Sequence, residues 1–122
     1  MSKRRLAIVD DNRALVTILV EFFQVHGFDV VGFDGISHIE QLAEAGPDVV
    51  MLDLLMPQLT GQEIMQAMSR STALSSVPVI VFSNVHEQDR WPLAEAVIEK
   101  PFDLNALLDL VRHTLQGAGR VQ

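Results

Sequence analysis

The sequence DVVMLDLLMP, residues 48–57, contains the clearest strand pattern of the chain. Val49 to Leu52 is apolar without alternation, which is typical of a parallel strand covered on both faces. Pro57 stops the run, and Asp53 lies where the strand ends. Open α/β sheets bind ligands at the carboxyl ends of their strands, so Asp53 is placed for chemistry.

The composition indicates one soluble domain over residues 1–122. With 48% hydrophobic residues the chain can build one core, and it is too short for two. No apolar run could cross a bilayer, so no membrane is expected. A formal charge of -7 argues against direct nucleic-acid binding. The lack of cysteine excludes thiolate chemistry and is compatible with a cytoplasmic location.

Apolar runs and helical stripes alternate along the chain. Besides the strand that ends at Asp53, the pattern predicts four strands, over residues 6–9, 29–33, 77–82 and 96–99. Five strands alternating with four or five helices imply a doubly wound parallel sheet with right-handed crossovers. Between the last two strands, Trp91-Pro92 permits at most a short helix.

The helix boundaries follow from capping residues. Ser37 with Glu40, and Thr60 with Glu63, have the spacing of capping boxes. Asp103 is expected to cap the last helix. Gly27 stands where the first helix needs a left-handed cap, and residues 117–122 are predicted to be a frayed tail.

Five polar residues fall at the carboxyl ends of the predicted strands: Asp10, Asp11, Asp53, Ser83 and Lys100. In a parallel sheet they converge on one edge. Three carboxylates together require a cation, and oxygen ligands suit Mg²⁺. The lysine can pair with Asp53 or with a phosphoryl oxygen, to which the serine hydroxyl can donate. This set predicts phosphoryl transfer with Asp53 as the nucleophile.

Five motifs, in this order, resemble the receiver domain of two-component response regulators. They are VDDN (9–12), PDVVMLD (47–53), Met56-Pro57 with Gly61, VIVFS (79–83) and KPF (100–102). The resemblance covers nearly the whole chain and implies a flavodoxin-like five-stranded sheet of order 2-1-3-4-5.

The resemblance also implies roles for individual residues. Asp53 would be the phosphoacceptor, Asp10 and Asp11 would hold Mg²⁺, and the Leu55 carbonyl would complete the metal site. Ser83 and Lys100 would contact the phosphoryl group, and the Lys100-Pro101 peptide bond would be cis. Such a protein is no enzyme beyond its own phosphorylation and dephosphorylation.

Three features depart from the family's usual pattern, one of them the apolar Leu55 beside the phosphorylation site, where many relatives have a polar residue. The family generally has an aromatic residue three positions before the lysine, where this chain has Val97. The interval from Ser83 to Lys100 is shorter than usual by more than one helical turn, which predicts a short or irregular fourth helix.

The expected function is a phosphorylation-switched receiver whose partners are a histidine kinase or phosphotransfer protein and an unknown downstream protein. The alternative is a receiver-like interaction module that works without phosphorylation. A phosphatase of the haloacid dehalogenase type would need a second Asp after Asp53-Leu54, which is absent. If the apolar stripe of the last helix is wider than the sheet covers, a homodimer is expected.

Overall fold

Five parallel strands form a single sheet in the computed structural model, which describes residues 3–54, 56, 59–83 and 93–119. The order across the sheet is β2-β1-β3-β4-β5, so the predicted flavodoxin-like fold is confirmed. The strands are β1 (Arg5–Val9), β2 (Asp29–Phe33), β3 (Val49–Asp53), β4 (Val79–Ser83) and β5 (Ala96–Glu99).

Four helices are described: α1 (Arg13–Val25), α2 (Glu40–Ala45), α3 (Gly61–Ser69) and α4 (Leu104–Gly119). Between β4 and β5 at most a short helix beginning near Pro92 was predicted; residues 84–92 lie outside the described residues, and residues 93–95 are not helical. α4 continues to Gly119, three residues into the segment that was predicted to be a frayed tail, and residues 120–122 lie outside the described residues. A glycine inside a helix costs only about 1 kcal/mol, which the packing of the preceding apolar turns can offset.

The core has two halves, one on each face of the sheet. On one face α1 and α4 pack against side chains that include Leu6, Ile8, Met51 and Phe82. On the other face α2 and α3 pack against a set that includes Val9, Val50 and Leu52. β3 is buried along its whole length, as its continuous apolar sequence predicted. The edge strand β5 is only partly buried.

Side chains cap the starts of α1, α3 and α4, and the caps on α3 and α4 were predicted. Asn12 Oδ1 accepts from the backbone N–H of Leu15 at the start of α1, and Thr60 and Glu63 form a complete capping box on α3. Asp103 Oδ2 accepts from the N–H of Ala106 in α4.

The capping box predicted for Ser37 and Glu40 is wrong. α2 begins at Glu40, and its N-cap Ile39 makes no side-chain capping bond. The side-chain oxygen of Gln41 instead accepts from the backbone N–H groups of Ser37 (2.9 Å) and His38 (3.1 Å). Gln41 thus takes the acceptor role that the capping box would have given to the Glu40 side chain.

Candidate functional site

Three carboxylates meet at the carboxyl edge of the two central strands. Asp10 follows β1 directly, Asp11 comes next, and Asp53 is the last residue of β3. β1 and β3 are paired with Val9 opposite Leu52, so their ends are adjacent. One oxygen from each carboxylate lies within 4.8 Å of the others, a separation that one metal ion can bridge. The structure thus brings together the three acids that the sequence predicted to converge.

Asp10 is the most deeply placed of the three, with no exposed surface. Its Oδ1 accepts a hydrogen bond of 2.9 Å from the backbone N–H of Asn12, and its Oδ2 accepts one of 2.8 Å from Nζ of Lys100. A buried carboxylate is stable only when it is paired and hydrogen-bonded, and both requirements are met here. Asp11, by contrast, is exposed.

Lys100, the residue directly after β5, contributes a positive charge to the site. Its Nζ lies 2.8 Å from Asp10 Oδ2 and 3.7 Å from Asp53 Oδ1, and its side chain is 23% exposed. The lysine therefore forms the ion pair with Asp53 that the sequence indicated, and a closer one with Asp10 that it did not. One ammonium cannot neutralise three carboxylates, so the group keeps an excess of negative charge that favours a cation.

The end of β3 is held by the start of α3. The backbone N–H of Gly61 donates to the carbonyl of Leu54 at 3.1 Å. A Cβ at position 61 would lie 2.6 Å from the backbone oxygen of Asp53 and 2.8 Å from Cα of Leu54. Glycine at this position thus lets the helix approach the strand end closely, which fixes the backbone that carries Asp53.

The donor set fits a hard divalent cation. All three acids offer carboxylate oxygens, the ligands that Mg²⁺ and Ca²⁺ prefer, and the chain has no softer thiolate ligand. Leu55, whose carbonyl was predicted as a further ligand, lies outside the described residues. Ser83 ends β4, beside Asp53 in the sheet, but the position of its side chain is also outside the described part.

The sequence did not single out two aromatic residues beside the site. Nζ of Lys100 lies over the Phe82 ring, 5.8 Å from its centroid. The Phe82 ring is in turn stacked on that of Phe102, with centroids 5.1 Å apart and an interplanar angle of 28°. Their positions in the sequence could have pointed to them, because Phe82 is next to Ser83 and Phe102 lies two residues after Lys100.

Comparison with known proteins identifies the family. Residues 6–112 match the response regulator receiver domain, and the chain belongs to this family. The Lys100-Pro101 bond is cis, as the resemblance implied. Receivers are signalling domains rather than classical enzymes, and receivers of response regulators interact with histidine kinases or phosphotransfer proteins. The predicted class and general function are therefore confirmed.

Named relatives share the sequence over about half of their length. The DNA-binding dual master transcriptional regulator RpaA of Synechocystis is 28% identical, over 96% of this chain and 51% of its own. The response regulator MprA of Mycobacterium ulcerans is 33% identical, over 92% of this chain and 50% of its own. Because RpaA is described as DNA-binding, these relatives do not support the prediction that nucleic acid plays no part.

Solved structures show the same fold. The chemotaxis protein CheY4 of Vibrio cholerae superposes with a TM-score of 0.84 at 19% identity, over 92% of this chain and 98% of that one. The receiver domain of the sensor histidine kinase PA1611 of Pseudomonas aeruginosa, described with a magnesium ion in its active-site cleft, has a TM-score of 0.78 at 16% identity, over 94% and 99%. Within the described residues, no helix has the length and apolar character needed to span a membrane.

Proposed function

We propose that this chain is a phosphorylation-switched receiver in which Asp53 accepts the phosphoryl group. The observation that carries the proposal is the meeting of Asp53 with two further carboxylates and an ammonium at one strand edge. The donor would be a phosphohistidine on a histidine kinase or a phosphotransfer protein, and the signal would pass to a downstream protein. None of the described contacts favours a module that works without phosphorylation.

The chemistry is an in-line displacement at phosphorus. A carboxylate oxygen of Asp53 forms a bond to phosphorus while the P–N bond of the phosphohistidine breaks, and the imidazole leaves after taking up a proton. Negative charge on the three equatorial oxygens must be offset. Mg²⁺ held by Asp10, Asp11 and Asp53, with the Leu55 carbonyl as a further ligand, would supply most of this neutralisation.

Lys100 would supply the remaining positive charge. Its Nζ already lies 3.7 Å from Asp53, so a phosphoryl oxygen on that residue comes within reach of the ammonium after a small movement. The hydroxyl of Ser83, at the end of the neighbouring strand, is proposed to donate to another phosphoryl oxygen. Phosphorylation would then favour the conformation in which both groups contact the phosphoryl group.

Labelling with a small phosphodonor tests the proposal. We expect the protein to gain one phosphoryl group in acetyl phosphate and Mg²⁺, as measured by intact mass, and to lose it in hydroxylamine, which cleaves acyl phosphates. Asp53→Asn should abolish the gain, and a chelator should prevent it. Asp48→Asn is the matched control, because Asp48 precedes the same strand at its opposite end. No gain in the wild type, or a gain that survives Asp53→Asn, would contradict the proposal.

A further inference from the structure

The position of the Lys100 ammonium requires an explanation beyond its charge. Lysine has a flexible four-carbon stem that does not fix its ammonium by itself. β5, which leads into Lys100, is an edge strand that is only partly buried, so its own packing is weaker than that of β1 and β3. Asp10 provides one close contact at 2.8 Å. The same carboxylate is a proposed metal ligand, and any cation bound there would compete with this contact.

Phe82 provides a contact that does not compete with a metal. It lies in β4 beside Asp53, with its side chain fully buried. Its ring face lies 5.8 Å from Nζ of Lys100, within the range in which an ammonium is attracted to an aromatic quadrupole. A phenyl ring neither binds Mg²⁺ nor accepts a proton. Its attraction for the lysine would therefore persist whatever occupies the carboxylates.

Phe102 fixes the orientation of the Phe82 ring. The two rings are stacked at 5.1 Å with an angle of 28°, and such aromatic pairs add stabilisation beyond the area that they bury. Phe102 lies two residues after Lys100, just before α4 begins. The stacked pair thus connects β4 to the segment that carries the lysine, and holds the ring under the ammonium.

We propose that Phe82, braced by Phe102, is a positioning residue that holds the Lys100 ammonium beside Asp53 for phosphoryl transfer. This inference rests on the proposed role of Asp53 as phosphoacceptor. The competing interpretation is that both rings only fill the apolar cluster between the sheet and its helices, to which both belong. The two interpretations differ in one respect: a packing role acts independently of Lys100, and a positioning role acts through it.

Substitution by leucine separates the two interpretations. Phe82→Leu keeps an apolar side chain and removes the ring face. We expect its maximal rate of phosphorylation by acetyl phosphate, at saturating donor and Mg²⁺, to fall about three- to tenfold, the size of a lost cation–π contact. Phe23→Leu is the matched control, because Phe23 is a fully buried ring of the same cluster that lies in α1, and its rate should stay within about twofold.

A double-mutant cycle then tests whether Phe82 acts through the lysine. All variants are compared at a temperature at which circular dichroism shows them folded. In a Lys100→Met background, Phe82→Leu should cause no further loss of rate, although it should still lower the thermal midpoint. Phe102→Leu, at a half-buried position, should give a smaller loss that also disappears in Lys100→Met. If Phe82→Leu does not fold, the comparison is made with Phe102→Leu in its place.

The outcomes distinguish this inference from the function on which it depends. If the wild type takes up no phosphoryl group, the proposed function is wrong and the inference is overturned with it. If the wild type is phosphorylated but Phe82→Leu matches Phe23→Leu, or slows the reaction equally with and without Lys100, only the positioning role is overturned. If Phe82→Leu lowers the phosphorylation rate only when Lys100 is present, the positioning role is supported.

Discussion

Acidic residues lie at both ends of the central strands, and the two ends differ in how these acids are satisfied. There the side chain of Arg5 bonds Asp29 (Nε to Oδ2, 2.8 Å) and the carbonyl of Ala45 (Nη1, 2.7 Å). The backbone N–H of the same arginine donates to Asp48 Oδ2 at 2.7 Å. Each of these acids thus meets a donor, and the contacts join β1 to β2 and to the segment before β3.

At the carboxyl end of the two central strands, three carboxylates share one ammonium. Three carboxylates lie within 4.8 Å of one another, and Lys100 contacts only two of them. Like charges at this distance repel, so the carboxyl end costs stability that the amino end does not. Acids at the amino end therefore stabilise the fold, whereas the excess negative charge at the carboxyl end is useful only if a cation binds.

The largest effect should be on cation-dependent stability. At about 100 times its Kd, Mg²⁺ should raise the free energy of unfolding by about 2.7 kcal/mol. Asp11→Asn should remove most of this gain, because it deletes a charged ligand from an exposed side chain. Asp48→Asn should keep the full gain. Urea unfolding with and without Mg²⁺ measures both, and an undiminished gain in Asp11→Asn would contradict the metal site.

Alanine at two helical glycines should have effects of opposite sign. Gly61→Ala should lower the free energy of unfolding by about 1–3 kcal/mol, because its Cβ would meet the backbone of Asp53 at 2.6 Å. Gly117→Ala in α4 should raise it by about 1 kcal/mol, because no atom lies within 4 Å of the new Cβ. Denaturant midpoints test the pair, and equal effects would show that the close approach at Gly61 is unimportant.

Removal of an acid at the amino end should affect stability alone. Asp48→Ala loses the bond of 2.7 Å to the N–H of Arg5, at a cost of about 1–2 kcal/mol. Its phosphorylation by acetyl phosphate should match that of the wild type, because Asp48 and Asp53 lie at opposite ends of β3. A fall in phosphorylation rate at a temperature where the variant is folded would show that the two ends are not independent.

The smallest effect should be a gain in stability. Without divalent cations, Asp11→Asn should raise the free energy of unfolding by about 0.5–1 kcal/mol, because it removes one repelling charge from the group at a solvent-exposed position. The gain should shrink with added salt, which screens exposed charges. A loss of stability in this variant would show that the three carboxylates do not repel one another in the free protein.

Patterns over a few consecutive residues predicted strand bounds and helix caps, which depend mainly on residues close in sequence. The bounds of the strands at 29–33 and 96–99 were predicted correctly, and the capping box of Thr60 and Glu63 is present. Ser37 and Glu40 have the same spacing, but there the side chain of Gln41 takes the acceptor role and the helix begins at Glu40. A capping pattern shows which bonds can form, and competition with other acceptors decides which of them do.

The sequence indicated buried parallel strands through its continuous apolar runs, and it implied their order through the resemblance of its motifs to a receiver domain. It thus placed Asp10, Asp11, Asp53 and Lys100 at one edge. Only the tertiary structure decided that the lysine bonds Asp10 more closely than Asp53 and lies over Phe82. These choices depend on differences of about 1 Å between side chains distant in sequence, which packing fixes and residue spacing does not encode.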